Sequence, residues 1–161
     1  MAFALSGLDV YFDDLRIGDE VVSPGRTISE YDILQFAGLT GDMSPMHVNA
    51  IHAEQVGDFN GRVAHGMLVA STAIGMLSQL RRFSNTGVAA LGFEWSFTGP
   101  VYIGDTIYAT ELIETANLTS DGRRGVIRRR ISVRKGDNIE VQQGIAVTML
   151  RCRDDETSDM S

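Results

Sequence analysis

The stretch His65-Gly66-Met67-Leu68-Val69-Ala70-Ser71-Thr72-Ala73-Ile74-Gly75-Met76-Leu77-Ser78-Gln79-Leu80 decides the fold. It reads as one helix, and its residues are apolar or small nearly all the way round. A helix of that kind is buried on most sides. Its small residues Gly66, Ala70, Ala73 and Gly75 would let a sheet pack close to it. Arg81 and Arg82 follow at its C-terminal end, where cations offset the helix dipole. The apolar run is too short, and too broken by Ser71, Thr72, Gly75, Ser78 and Gln79, to span a bilayer.

Downstream of this helix the pattern changes to strands: Val88 to Phe97, halted at Pro100, then Thr106 to Thr115, Gly125 to Lys135 and Ile139 to Arg151. Gly122 and Gly136-Asp137-Asn138 mark the tight connections. Upstream, Glu20 to Ile28 reads as a first strand. Ser29 is placed to cap a helix carrying Ile33, Leu34, Phe36, Ala37 and Leu39 at helical spacing, closed near Thr40-Gly41. Met43 to Ile51 is turn-rich, and Asp58 to Arg62 is a loop. Strand, helices, then four strands is an α+β order, an antiparallel sheet wrapped around one helix. A single domain over 1–161 is expected, with its core over about 15–152. Met1 to Asp14 reads as a loosely packed arm and Asp154 to Ser161 as a frayed acidic tail.

One cysteine, Cys152, excludes an internal disulfide and suits a reducing compartment, so a cytoplasmic location is expected. Cys152 has no basic or nucleophile-like surroundings and reads as a bystander. The N-terminus lacks a basic segment followed by a long apolar run, so no signal peptide is expected. A net charge of −7 argues against nucleic-acid binding, which needs a basic surface.

The strongest local signal is Thr40-Gly41-Asp42-Met43-Ser44-Pro45-Met46-His47-Val48-Asn49. Pro45 cannot continue a helix and pushes Ser44 toward extended geometry, so the turn can aim Asp42 and His47 at one point. A carboxylate can take a proton from water while an imidazole holds that water. The same spacing also fits Asp42 capping the next turn and His47 as a satisfied, half-buried histidine. The second signal is Arg62-Val63-Ala64-His65-Gly66-Met67-Leu68. Gly66, at a helix start, has no side chain to block access to unpaired N–H groups, which makes an oxyanion site. It equally fits a glycine that only permits tight packing.

Gly41-Asp42-x-Ser44-Pro45-x-His47-x-Asn49 followed by His65-Gly66-Met67 resembles the signature of the MaoC-like dehydratases, which include the (R)-specific enoyl-CoA hydratases. Phe97-Thr98-Gly99-Pro100-Val101-Tyr102-Ile103-Gly104-Asp105-Thr106 is a third matching element. The resemblance covers 15–152 and implies a single hot-dog domain. It implies Asp42 and His47 as the acid/base pair and Gly66 as the glycine whose N–H polarises a thioester carbonyl. Ser44, Asn49 and His65 become supporting residues around them. Ser44 stands where many members of the hydratase branch carry asparagine; both side chains can hydrogen-bond the turn. The implied reaction adds water to a 2-enoyl thioester, or removes it from the 3-hydroxyacyl thioester. No cofactor or metal is expected, since no His-Glu-x-x-His or Cys-x-x-Cys spacing exists. The family also implies a homo-oligomer, at least a dimer, whose paired sheets cover strand edges.

Two rivals remain. A hot-dog thioesterase usually places an acid on the central helix or its facing strand, but His65 to Leu80 has no Asp or Glu. A non-catalytic acyl-binding subunit would not need both Asp42 and His47. Within Val126 to Val133, alternation points Arg129 inward with Ile127 and Ile131, where it needs a carboxylate or phosphate partner. A strand end, a subunit contact or the charged end of coenzyme A would each supply one. Arg62, Arg81, Arg82, Arg123 and Arg124 are further candidates for carrier phosphates.

Overall fold

Pro24 and Gly25 divide the expected first strand. Proline has no N–H for a ladder, and a Cβ on Gly25 would stand 2.6 Å from the Tyr108 ring, so the backbone passes too close for a side chain. In the computed structural model, which describes residues 9–55, 59–136 and 138–153, two short strands result, β1 (Glu20–Val22) and β2 (Arg26–Thr27). Helix α1 (Glu30–Thr40) opens on a capping box between Ser29 and Asp32 and closes on Gly41 at φ 78°. Pro45 does not break a helix but begins one. It holds the first turn of α2 (Pro45–Val48), where its missing N–H costs nothing. The segment expected as turns is therefore two short helices, α2 and α3 (Ala50–Gln55).

The long helix is α4 (Gly66–Ser78), followed by β3 (Gly87–Phe97), β4 (Thr106–Leu118), β5 (Arg124–Lys135) and β6 (Ile139–Arg151). All pairings are antiparallel in the order β1-β4-β5-β6-β3, with β2 beside β1 on β4. The sheet curls around α4. Leu68, Val69, Ala73, Met76 and Leu77 pack in one core with Ile107, Ala109, Ile131, Val133 and Val141. This is the α+β hot-dog arrangement that the sequence implied.

Burial of α4 is one-sided. Ala70 and Ala73 are fully buried and allow close approach, but Met67, Ser71, Gly75 and Ser78 are exposed, and a Cβ on Gly75 would meet nothing. The expectation of a helix covered on most sides fails for the single chain. Strand β3 is also open. Among the described residues it pairs only with β6, and Leu91, Phe93 and Phe97 are about half exposed.

The arm is not loose over its described part. Val10 is buried and bonds Arg82 O, and Phe12 packs on a second core of Ile113, Ile127 and Leu150. Residues 1–8 and the expected tail lie outside the described residues, as do Asp58 of the expected loop and Asp137. Cys152 is buried. No helix among the described residues is long and apolar enough to cross a membrane.

Candidate active site

Asp42 follows the left-handed Gly41 that ends α1, which turns the chain toward α2. Its Oδ1 accepts from the Ser44 hydroxyl at 2.5 Å and the Ser44 N–H at 3.2 Å. The Ser44 hydroxyl, and after it the Ser44 N–H, hold the Asp42 carboxyl below its ordinary value, with the charges of His65 and His47 adding to the effect. Asp42 is therefore an exposed carboxylate kept ionised. Asn49 faces elsewhere. Its oxygen takes the His52 N–H at 3.0 Å and caps α3.

His47 lies on α2 and is buried. Its Nδ1 is 2.8 Å from Val63 O. A carbonyl only accepts, so Nδ1 carries the hydrogen, and in the neutral ring Nε2 holds the lone pair. His65 precedes α4 and stacks on His47 with ring centroids 3.8 Å apart. Its Nε2 donates to Asp42 O at 3.0 Å, and its buried Nδ1 has no partner among the described residues. The segment is fixed from the other side by Ala64 N–H to Val101 O and by a bridge from Val63 to Tyr102. Asp42 does cap its turn and His47 is satisfied at Nδ1, as the second reading of the motif expected, and each still has an unused face.

Asp42, His47 and His65 bring ligand atoms within 4.8 Å of one another, which makes them the group among the described residues that could hold a cation. No spacing rule finds it, because the third member arrives on a separate element.

Gly66 is the first residue of α4, so its N–H lies in the turn without intrahelical acceptors. A Cβ there would come 2.7 Å from the Phe97 ring, not from the backbone of the sheet. The glycine does relieve a contact, but with a side chain that is half exposed in the single chain. Asp42, His47, His65 and Gly66 all line one cavity of about 670 Å³. Ser44 and Asn49 do not. The rest of the wall includes Phe36, Met46, Val69, Phe97, Val101 and Gln142.

Gln142 was not visible in the sequence. It is buried on β6, accepts from Trp95 Nε1 at 2.9 Å and donates to Gly66 O at 3.0 Å. A lone glutamine in a strand carries no motif. Neither Arg82 nor Arg129 lines the cavity that holds Asp42 and His47. Both turn inward to the buried Glu111, which supplies the carboxylate that Arg129 needed. Arg62 bonds Glu30.

Residues 14–137 match the family model described as a MaoC like domain. The chain is 42% identical over 100 residues to an (R)-specific enoyl-CoA hydratase of Rhodospirillum rubrum, covering 62% of this chain and 67% of that one. It is 31% identical over 131 residues to a 3-hydroxybutyryl-CoA dehydratase of Methylorubrum extorquens, covering 81% and 78%. A solved structure described as a monoamine oxidase regulatory protein from Archaeoglobus fulgidus superposes with a TM-score of 0.83 at 30% identity, covering 89% of this chain and 95% of that one. With a family model spanning most of its length and relatives agreeing on both sequence and fold, the chain belongs to the MaoC-like dehydratase family.

Proposed function

We propose that this hydro-lyase adds water across the double bond of a 2-enoyl-coenzyme A thioester to give the (R)-3-hydroxyacyl thioester, or runs the reverse dehydration. One observation carries the reading: a carboxylate kept ionised, an imidazole with a free Nε2 and a helix-start N–H all open into the same largely apolar cavity. The relatives named (R)-specific enoyl-CoA hydratase and 3-hydroxybutyryl-CoA dehydratase support the substrate class.

In this mechanism the thioester oxygen accepts the Gly66 N–H. That draws electrons from the conjugated double bond and makes the β-carbon electrophilic. Asp42 and His47 Nε2 hold one water between them, and Asp42 takes its proton as the oxygen attacks. Negative charge grows on the thioester oxygen, where the α4 start and its dipole stabilise it. Proton return to the α-carbon completes hydration. Gln142 steadies the first turn of α4 through Gly66 O.

The working unit is a homodimer joined along β3. Supporting this are the unpaired β3 edge, its exposed Leu91, Phe93 and Phe97, and the open stripe of α4.

Incubation with crotonyl-CoA tests the reaction. Loss of enoyl-thioester absorbance without release of free thiol is expected. Thiol release would mean hydrolysis, and no change in either signal would remove this substrate.

A further inference from the structure

At the opposite end of α4 from Gly66, two arginines share one carboxylate. Arg82 Nη1 donates to Glu111 Oε1 at 2.8 Å, and Arg129 Nη1 donates to Glu111 Oε2 at 2.7 Å. Glu111 is 2% exposed and Arg82 4%. Two cations against one anion leave one positive charge inside the protein, and among the described residues no second carboxylate pairs with either arginine. A buried charge without a counter-charge is expensive.

The donors are unbalanced too. Arg82 Nε and Arg129 Nε are buried with no acceptor among the described residues. Arg129 Nη2 has one, the Thr148 hydroxyl at 2.8 Å. For Arg82 the bond from Nη1 is the side-chain bond found, so the edge formed by the buried Nε and Nη2 has no protein acceptor among the described residues. That edge is the fork that grips a carboxylate with two parallel bonds.

Beside this fork lies a second cavity of about 320 Å³. Arg82, Arg129 and Glu111 form its charged part, and Ile74, Leu77 and Phe83 belong to its apolar part. Its lining shares no residue with the catalytic cavity. Arginines in excess of carboxylate at one wall, with Ile74, Leu77 and Phe83 beside hydroxyls of Ser78, Ser84 and Thr148, suit a small amphiphilic anion better than a fully hydrated one.

We propose that this cavity binds the carboxylate group of a short apolar monocarboxylic acid, gripped by Arg82 and Arg129. The carboxylate balances the residual charge and takes the open donors. The short alkyl chain lies against Ile74, Leu77 and Phe83. The site is independent of the hydratase reaction, and its test reads binding alone.

The test is isothermal titration of the full chain with hexanoate, with hexanamide and inorganic phosphate as comparison probes. Hexanoate is expected to bind at one site per chain, hexanamide not measurably, and phosphate at least ~10-fold more weakly. Arg82→Lys keeps the charge but loses the fork, and should weaken hexanoate at least ~10-fold. Two plugging variants locate the site without touching the buried triad. Ser84→Trp, at an exposed position lining this cavity and outside both α4 and β3, should abolish binding. Thr98→Trp, at an exposed position lining the catalytic cavity, should leave it intact. Absence of hexanoate binding overturns the proposal. So does equal binding of hexanamide or phosphate, or binding lost in Thr98→Trp and kept in Ser84→Trp.

Discussion

Replacing Gly66 with alanine separates its two possible roles. The added Cβ would lie 2.7 Å from Phe97 Cε1 and 2.8 Å from Cδ1, so the ring must move. Phe97 is 55% exposed in the single chain, so its ring and not the sheet backbone has to give way. Alanine is also the better helix former, by up to ~1 kcal/mol in a helix interior and less in a first turn. The two effects oppose each other, so net stability should change by less than ~1 kcal/mol. For a chain of this size that is within about 2–4 °C of melting temperature. The catalytic consequence is of another order. The methyl group and the displaced ring enter the space where the thioester oxygen must approach the Gly66 N–H. Losing one oxyanion donor costs ~10²–10³ in rate, or about 2.7–4 kcal/mol. Melting curves and kcat on crotonyl-CoA, measured on one preparation, give both numbers. Gly66→Val, with a larger group, should push kcat down further and begin to cost stability. A Gly66→Ala protein with near-parental kcat would refute the role assigned to this N–H, whatever its melting temperature.

Asp42→Asn and His47→Ala should each lower kcat by ~10²–10⁴ while leaving the fold intact by circular dichroism; near-parental rates in both would displace the proposed site. Ser44→Ala removes the largest influence holding the Asp42 carboxyl down. A carboxylate with a depressed pKa stays ionised until pH falls through that lowered value, so the acid limb of kcat/KM in the parent lies below the ordinary carboxylate range. In the variant the limb should move to higher pH, and an unmoved profile would show that Asp42 does not set it. Glu111→Gln strips both buried arginines of their carboxylate and should cost ~3–5 kcal/mol, seen as a melting temperature lower by roughly 6–20 °C. The exposed pair of Glu114 with Arg130 is the control, since Glu114→Gln should change stability by less than ~1 kcal/mol. Light scattering should give twice the 17.6 kDa chain mass, falling to one chain in Phe93→Lys if β3 is the joining edge.

Much of this protein was determined locally. Ser29 with Asp32 and Gly41 mark the ends of α1, because a cap and a left-handed glycine act within four residues. The four long strands fall close to their expected places, since alternation and glycine turns are also short-range. Asp42 and His47 share one loop, so the motif already held their nearness. Misreadings occurred where a local rule has two outcomes. Proline both ends helices and begins them, and Pro45 begins one. Small residues on α4 both admit a sheet and leave a surface open, and only the packing shows that Ala73 does the first and Gly75 the second.

What the tertiary structure alone decided depends on distant residues meeting. His65 stacks on His47 from another element, Gln142 reaches Gly66 from 76 positions away, and Glu111 meets Arg82 and Arg129 across 29 and 18 positions. Arg129 could be read as inward from its strand phase, but the identity of its partner could not. Periodicity fixes which face a side chain takes, whereas strand register and the curl of the sheet around α4 fix what that side chain meets.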